Sequence, residues 1–283
     1  KRMHVEYVAL SFTKTAEDVR TVRKHLKNSH IIAKIESEQG VDNIEEILEA
    51  ADGIMVARGD LGIEMPAAKV PIIQKQLIDQ ANEAGKLVIT ATEMLQSMVI
   101  NNRPSRAETS DVANAILDGS DAVMLSAETS IGKHPLAAVK AMNRIINEIS
   151  PYIEPRALDA PDSTSDLVTS SISHFAEQTI LNHIICITKS GFTARNIARF
   201  RNHESILAVT RDDMVARQLL LFYGITPIHY PNMPRSNQIE AVAKYLLRKN
   251  HIKQTDKVIF TAGTISKKQG TNTILVSKIS DLI

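Results

Sequence analysis

Polar and charged residues follow short apolar runs in the first half of the sequence, where the strands of a sheet would end. The run at residues 31–35 carries Lys34 and leads into Glu36, and strand geometry puts these two side chains on one face. A cation and an anion that point the same way have two interpretations. They form either a local salt bridge or part of a binding site at the end of the strand.

A second carboxylate follows the next apolar run. Asp60 comes directly after Gly59, and glycine permits both a tight turn and the close approach of another molecule to the backbone. Mg²⁺ binds one or two protein carboxylates and fills the rest of its shell with water and substrate oxygens. Glu36 and Asp60 are therefore candidate ligands of a hard cation, unless Asp60 only caps the turn.

Hydroxyl side chains end the third and fourth runs. Thr90 and Thr92 are predicted to share one face near the same rim, and Ser126 ends the run at residues 122–126. A lysine, two carboxylates and several hydroxyls at the ends of successive strands fit metal-assisted phosphoryl transfer. In that chemistry the protein mainly positions groups and neutralises developing charge.

Alternating strands and helices must position these residues. Up to about residue 150, apolar runs alternate with amphipathic stretches at spacings of about 20 to 35 residues, as expected for βα units with a parallel sheet. Five such units are over half of an eight-stranded TIM-type (β/α) barrel, which carries its active site at the carboxyl ends of the strands. The predicted strands are Tyr7–Phe12, Ile31–Ile35, Gly53–Ala57, Leu87–Thr92 and Ala122–Ser126.

A second alternating block follows a linker rich in proline and acidic residues. The sequence therefore predicts an α/β protein, a partial TIM-type barrel followed by a smaller α/β C-terminal domain. The predicted divisions are the barrel part at residues 1–150, the linker at 151–163 and the second domain at 164–283. The second domain is predicted to contain a helix at Asp166–Leu181 and strands at Ile184–Thr188, Ile206–Thr210, Ile225–His229, Lys257–Thr261 and Thr273–Val276.

Composition excludes several classes of protein. A formal net charge of +1 over 283 residues argues against a nucleic-acid binder, and no apolar run reaches the roughly 20 residues that span a bilayer. The single cysteine, Cys186, rules out an internal disulfide framework and is expected to be a small buried side chain. We therefore expect a cytoplasmic protein with no membrane and no nucleic-acid partner.

Five segments of the first block resemble the pyruvate kinases. They occur in that family's order and cover nearly all of residues 7–150. Small departures are Ala127 where glycine is usual, Ser105 where threonine is common, and Lys14 where arginine is usual. The segments are Ile32–Glu36 with Gly40 and Val41, Asp52–Gly62, Ala91–Met98, Arg106–Ala115 and Asp118–Ser126.

The resemblance implies a glycolytic enzyme that transfers a phosphoryl group from phosphoenolpyruvate to ADP, giving pyruvate and ATP. Lys34 resembles the lysine that stabilises the phosphoryl group in transit, and Glu36 and Asp60 resemble the ligands of Mg²⁺ or Mn²⁺. Backbone amides at Gly59 and Asp60, with the Thr92 hydroxyl, resemble the cradle for the substrate carboxylate. Thr92 or a nearby water relay is also the implied proton route to the enolate, with Ser126 behind it.

The same resemblance implies parts that these residues do not contain. In the family, the earlier barrel strands carry an arginine that contacts phosphate and the site for K⁺, and a lid domain closes over the nucleotide. We therefore expect the isolated chain to have little or no activity. We also expect an open half-barrel to leave a sheet edge exposed, which would lower its stability.

The second domain contains a candidate site for the phosphate of an effector. Thr188, Lys189, Ser190, Gly191 and Thr193 follow a predicted strand and open a helix, which suits either a phosphate site or simple helix capping. The family resemblance favours an activator site for fructose bisphosphate, another sugar phosphate or AMP. It also implies a homotetramer. The second loop of this site would be residues 261–273, with Lys267 and Lys268.

Two alternatives remain open from the sequence alone. One is another barrel enzyme that handles phosphoenolpyruvate or a related enolate with Mg²⁺. The other is a non-catalytic, ligand-sensing protein that keeps only the effector domain and half a barrel. Retention of Lys34, Glu36, Asp60 and Thr92 argues against a decayed site.

Overall fold

The chain forms two compact units, and each is described by itself. The computed structural model describes residues 5–26, 28–157, 163–262 and 271–283. Unit 1 is Lys1–Ile153 and unit 2 is Glu154–Ile283. The predicted linker at residues 151–163 lies partly outside the described residues, and its limits stay a prediction.

Unit 1 is built on a five-stranded sheet in which every strand is parallel to its neighbour. The spatial order β1-β2-β3-β4-β5 is the order of the strands along the chain. Parallel order requires a crossover between successive strands, so all five carboxyl ends meet at one edge of the sheet. The strands are β1 Tyr7–Leu10, β2 His30–Ile35, β3 Gly53–Ala57, β4 Leu87–Ala91 and β5 Ala122–Met124.

Helices supply the crossovers and cover one face of this sheet. Ile31, Ala33 and Ile35 alternate along β2 and are fully buried, in one hydrophobic core with side chains of the helices. The alternate positions of β2 that belong to this core fix the register, because a shift of one residue would bring Lys34 into it. The helices are α1 Ala16–Arg23, α2 Glu38–Asp42, α3 Ile44–Ala50, α4 Arg58–Glu64, α5 Val70–Glu83, α6 Arg106–Leu117, α7 Ala127–Ser130 and α8 Pro135–Ile149.

Three strands of unit 1 end earlier than the sequence predicts. β1 stops at Leu10, and Phe12 then has a φ of 53°. β4 stops at Ala91, because Thr92 has a φ of 66°, which an extended strand does not allow. β5 stops at Met124 instead of Ser126. The residues that carry the candidate chemistry therefore lie in the turns after the strands.

Unit 2 contains a mixed sheet with the order β10-β9-β6-β7-β8. Four of its strands are parallel, and β10 pairs antiparallel with β9 at one edge. The strands are β6 His183–Ile187, β7 Ser205–Thr210, β8 Ile225–His229, β9 Lys257–Ala262 and β10 Thr273–Lys278, and the helices are α9 Thr164–Gln178, α10 Phe192–Ala198, α11 Asp213–Leu219 and α12 Gln238–Arg248.

These two sheets agree with the predicted α/β class. Within the described residues, no helix is both long enough and apolar enough to span a membrane.

Cys186 lies buried in β6, as expected, and the Cys186 thiol has a pKa far above its usual range because it is fully buried.

Candidate active site

Lys34 and Glu36 lie together at the carboxyl end of β2. Lys34 Nζ is 2.5 Å from Glu36 Oε1 and donates a hydrogen bond of 2.9 Å to Ser11 Oγ, in the turn after β1. The Lys34 side chain is 23% exposed, whereas that of Glu36 is 2% exposed. The ammonium group therefore remains open to a ligand, while the carboxylate behind it is nearly enclosed.

The second oxygen of Glu36 is held by the backbone. Glu36 Oε2 accepts a hydrogen bond of 2.6 Å from the Phe12 amide, which the left-handed turn at Phe12 directs toward β2. A buried carboxylate is tolerated when charged and polar partners replace its hydration. Lys34 and the Phe12 amide provide that replacement, so the local salt bridge is real, and it lies at the end of the strand where a barrel site would be.

Asp60 lies on a short helix after β3. The sequence suggested a tight turn at Gly59, but helix α4 begins at Arg58, directly after the strand. Asp60 is partly exposed, and its carboxylate makes no hydrogen bond or ion pair to any described residue. It is thus free to bind a ligand from outside the chain.

Thr92 joins the ends of β3 and β4. Its hydroxyl Oγ1 accepts a hydrogen bond of 2.8 Å from the Gly59 amide and donates one of 2.6 Å to the carbonyl oxygen of Ala91. By contrast, the hydroxyl of Thr90 is fully buried and lies 2.7 Å from Ser120 Oγ. Of the two threonines, only Thr92 therefore stands at the rim.

Glu36 and Asp60 suit a hard divalent cation by their chemistry. Both offer carboxylate oxygens, and they follow neighbouring parallel strands, since Ile35 pairs with Val56. In the part of the chain that the structure describes, no group of three or more His, Cys, Asp or Glu side chains could enclose a metal. A cation there would depend on these two carboxylates plus water or substrate oxygens, which is the usual environment of Mg²⁺.

Two buried charged residues at this rim received no role from the sequence. Arg58 is 8% exposed and Glu128 is 1% exposed. The signal that could have identified Arg58 is a cation placed directly after an apolar strand, since such a side chain needs partners when it is buried. Glu128 gives no comparable signal, because it lies in a polar stretch that is typical of a surface turn.

Ser126 lies beside Glu128, just before α7. Its amide donates a hydrogen bond of 2.7 Å to Glu128 Oε2. Its hydroxyl is buried and has no hydrogen-bond partner among the described residues. Buried hydroxyls are normally paired, so this group is available to a water or to a bound molecule.

The candidate effector residues of unit 2 lie in the turn between β6 and α10. Gly191 has a φ of 80°, and its amide donates a hydrogen bond of 3.0 Å to Thr188 Oγ1. Thr193 Oγ1 lies 2.6 Å from Thr271 Oγ1, and both threonines are buried. The turn is therefore fixed by its own hydroxyl groups, while Lys189 and Ser190 are exposed.

A cavity of about 500 Å³ opens beside this turn. Lys189 and Arg211 bring positive charge to it and Asp212 brings negative charge, so the excess positive charge suits an anionic ligand. The predicted second loop of the site, with Lys267 and Lys268, lies outside the described residues. The remaining lining residues are Ile187, Thr188, Thr210, Asp212, Met233 and Gln238.

Comparison with known proteins identifies both units. Residues 1–139 match the family model described as the barrel domain of pyruvate kinase, and residues 166–277 match the one described as its alpha/beta domain. The predicted partial barrel with a second α/β domain is therefore confirmed.

Curated relatives are similar to this chain along almost its whole length. The chain is 43% identical to a pyruvate kinase of Geobacillus stearothermophilus over 295 residues, which are 100% of this chain and 50% of the relative. It is 44% identical to pyruvate kinase 2 of a Synechocystis strain, covering 96% of this chain and 47% of the relative. The chain thus spans about half the length of the curated relatives it matches.

Proposed function

The chain belongs to the pyruvate kinase family of transferases, and from that premise we propose that unit 1 carries part of the active site for phosphoryl transfer from phosphoenolpyruvate to ADP. The observation that carries the proposal is the pairing of Lys34 with Glu36 at the carboxyl end of β2, with Thr92 bound to Gly59 at the ends of the next two strands. Pyruvate and ATP are the products of this reaction.

Lys34 stabilises the phosphoryl group as it moves. Its Nζ is partly exposed and already fixed by Glu36 and Ser11, so little reorganisation is needed when a phosphate arrives. Charge accumulates on the phosphoryl oxygens during transfer, and a positioned ammonium group lowers the energy of that state.

Glu36 and Asp60 hold the divalent cation, Mg²⁺ or Mn²⁺. When bound, the ion neutralises charge on the phosphoryl and carboxylate oxygens of the substrate. Asp60 has no competing partner among the described residues, whereas a Glu36 oxygen would have to leave Lys34 or the Phe12 amide to reach the ion. K⁺, a homotetramer and a cytoplasmic location belong to the same proposal and depend on the family resemblance.

Thr92 and Gly59 hold the substrate carboxylate. The hydrogen bond between the Gly59 amide and Thr92 Oγ1 has to open, so that both groups can donate to the carboxylate. After phosphoryl transfer, Thr92 Oγ1 passes its proton to the enolate carbon and takes one up from a water behind it, so that no alkoxide is left. The hydroxyl of Ser126, which has no described partner, supports a proton route through water behind it.

The test is pyruvate formation from phosphoenolpyruvate and ADP with Mg²⁺. The chain is assayed alone and together with the N-terminal half of the Geobacillus stearothermophilus relative. We expect activity only in the complemented protein, and we expect Lys34→Ala to lower it by at least about 1,000-fold. Lys69→Ala, at an exposed lysine, is the matched control. Equal activity in Lys34→Ala and the control would refute the assignment.

Unit 2 supports a second proposal, the binding of a phosphorylated effector. The cavity beside the β6–α10 turn has two cations, and the fixed turn leaves Lys189 and Ser190 exposed to solvent. Calorimetric titration with fructose bisphosphate, glucose 6-phosphate and AMP identifies the ligand. Binding of none of them would overturn this proposal while leaving the catalytic one intact.

A further inference from the structure

The loop after β4 has a backbone that needs external support. Thr92 and Glu93 are consecutive residues with φ values of 66° and 55°, and neither is glycine. The left-handed conformation is unfavourable for such residues, because it brings Cβ too close to the following carbonyl oxygen. This geometry persists only where surrounding contacts enforce it, and two buried charged side chains contact this loop from different elements.

Arg58, the first residue of α4, binds the carbonyl side of the loop. Its Nη2 donates hydrogen bonds of 2.8 and 2.9 Å to the carbonyl oxygens of Thr92 and Glu93, and its Nε donates one of 3.2 Å to Thr92. Its Nη1 donates a hydrogen bond of 2.8 Å to Asp111 on α6 and a weak one of 3.4 Å to Gln74. The guanidinium group is thus fixed by α5 and α6 while it holds the loop.

Glu128 on α7 binds the amide side of the same loop. Its Oε1 accepts a hydrogen bond of 3.0 Å from the Leu95 amide, and its Oε2 accepts one of 2.7 Å from the Ser126 amide. One carboxylate therefore joins the turns that follow β4 and β5. The loop has a cation on its carbonyls at one end and an anion on its amide three residues later.

We propose that Arg58 and Glu128 are positioning residues that fix the left-handed backbone at Thr92 and so hold Thr92 Oγ1 at the rim, beside the Gly59 amide, where both groups can reach a substrate carboxylate. The inference rests on the function proposed for Thr92. A lysine in place of Arg58 keeps the charge but lacks the planar fork that binds two carbonyls at once. A glutamine in place of Glu128 keeps the size but offers one oxygen where two amides require two.

The activity test is a double-mutant cycle in the complemented enzyme described above. We expect Arg58→Lys and Glu128→Gln to lower kcat by about 10- to 100-fold with a smaller change in KM, because small misplacements of a reacting group are costly. In a Thr92→Val background the same substitutions should lower kcat less than about threefold, since the group that they position is absent. Arg103→Lys and Glu64→Gln, both at exposed residues, are the matched controls.

A second measurement does not depend on activity. Amide hydrogen exchange, resolved by NMR, follows Leu95 and Ser126 in the chain itself, and Glu128→Gln should speed at least one of them by about tenfold. Equal losses of kcat with and without the Thr92 hydroxyl would overturn the positioning role, and so would unchanged exchange at both amides. If the unmodified enzyme has no kinase activity, the proposed function fails, and the exchange result alone decides whether the two residues order the loop.

Discussion

The candidate sites of the two units differ in how their lysines are bound. In unit 1, Lys34 and Arg58 are bound to internal partners, and the carboxylate beside Lys34 is almost wholly buried. In unit 2, Lys189 is exposed next to a turn that Gly191 and Thr188 fix without its help. A site for chemistry gains from groups that are positioned before the substrate arrives, whereas a site for a regulator needs only charge that a ligand can reach.

Because Lys34 is bound to an internal carboxylate, we predict that Glu36→Gln destabilises unit 1. We expect a loss of about 2 kcal/mol in its free energy of unfolding, because Lys34 loses its ionic partner. Urea unfolding followed by hydrogen-exchange mass spectrometry reports the two units separately. The matched control is Glu64→Gln, at an exposed glutamate on α4. An equal loss of stability in the control or in unit 2 would show that the ion pair between Lys34 and Glu36 does not stabilise unit 1.

Gly191→Ala tests whether the turn in unit 2 is rigid. Gly191 has a φ of 80°, and an added Cβ would lie 3.0 Å from Leu219 Cδ2. We therefore expect unit 2 to lose about 1.5 kcal/mol of stability. The control is Gly62→Ala on α4, where a Cβ would meet nothing within 4 Å. That variant should be neutral or slightly more stable, and a similar loss in both would show that the turn is not special.

Lys189→Ala should change binding without changing stability. We expect affinity for a phosphorylated ligand to fall about tenfold, the effect of losing one charge-assisted hydrogen bond. Calorimetry measures the affinity, and thermal unfolding should be unaltered because the side chain is solvated. Lys249→Ala, at an exposed lysine of unit 2 outside the cavity, serves as the control. A large drop in stability would show that Lys189, like Lys34, is bound to an internal partner, which would contradict this prediction.

The smallest expected effect is a difference between the two units in how their stability depends on pH. Burial lowers the pKa of His183 in unit 2, and the Asp256 carboxylate opposes this only in part. The unfolded chain therefore takes up the proton more readily, so unit 2 loses stability as the pH falls through about 6.5. In unit 1, burial would raise the pKa of Asp52, but the Ile31 amide and Arg23 outweigh burial and hold it below its usual value. The stability that ionised Asp52 gives to unit 1 is lost only below about pH 4.

Hydrogen exchange between pH 7.5 and 5.5 measures this difference. Unit 2 should open more readily at the lower pH while unit 1 changes less, and His183→Gln should remove the response of unit 2. If unit 1 responds first, or if His183→Gln leaves the response unaltered, the assignment to His183 is wrong.

Period-two patterns made part of the unit 1 site predictable. Lys34 and Glu36 are two positions apart on a strand, so a shared face follows from local geometry, and their contact agrees with that expectation. The contacts of Thr92 and Arg58, by contrast, join residues that are far apart in the sequence. Gly59 is 33 residues from Thr92, and Arg58 reaches Asp111 across 53 positions, so no local pattern contains either pairing. The left-handed backbone at Thr92 and Glu93 also contradicts the usual preference of these residue types.

The order of strands in each sheet has a consequence for synthesis on the ribosome. In unit 1, each strand pairs with the one made just before it, so the sheet can grow one βα unit at a time as the chain emerges. In unit 2, β6, β7 and β8 pair in succession, but β9 must return past two strands to join β6. Completion of that sheet therefore waits until β9 and β10 have been made, well after β6, β7 and β8 have paired.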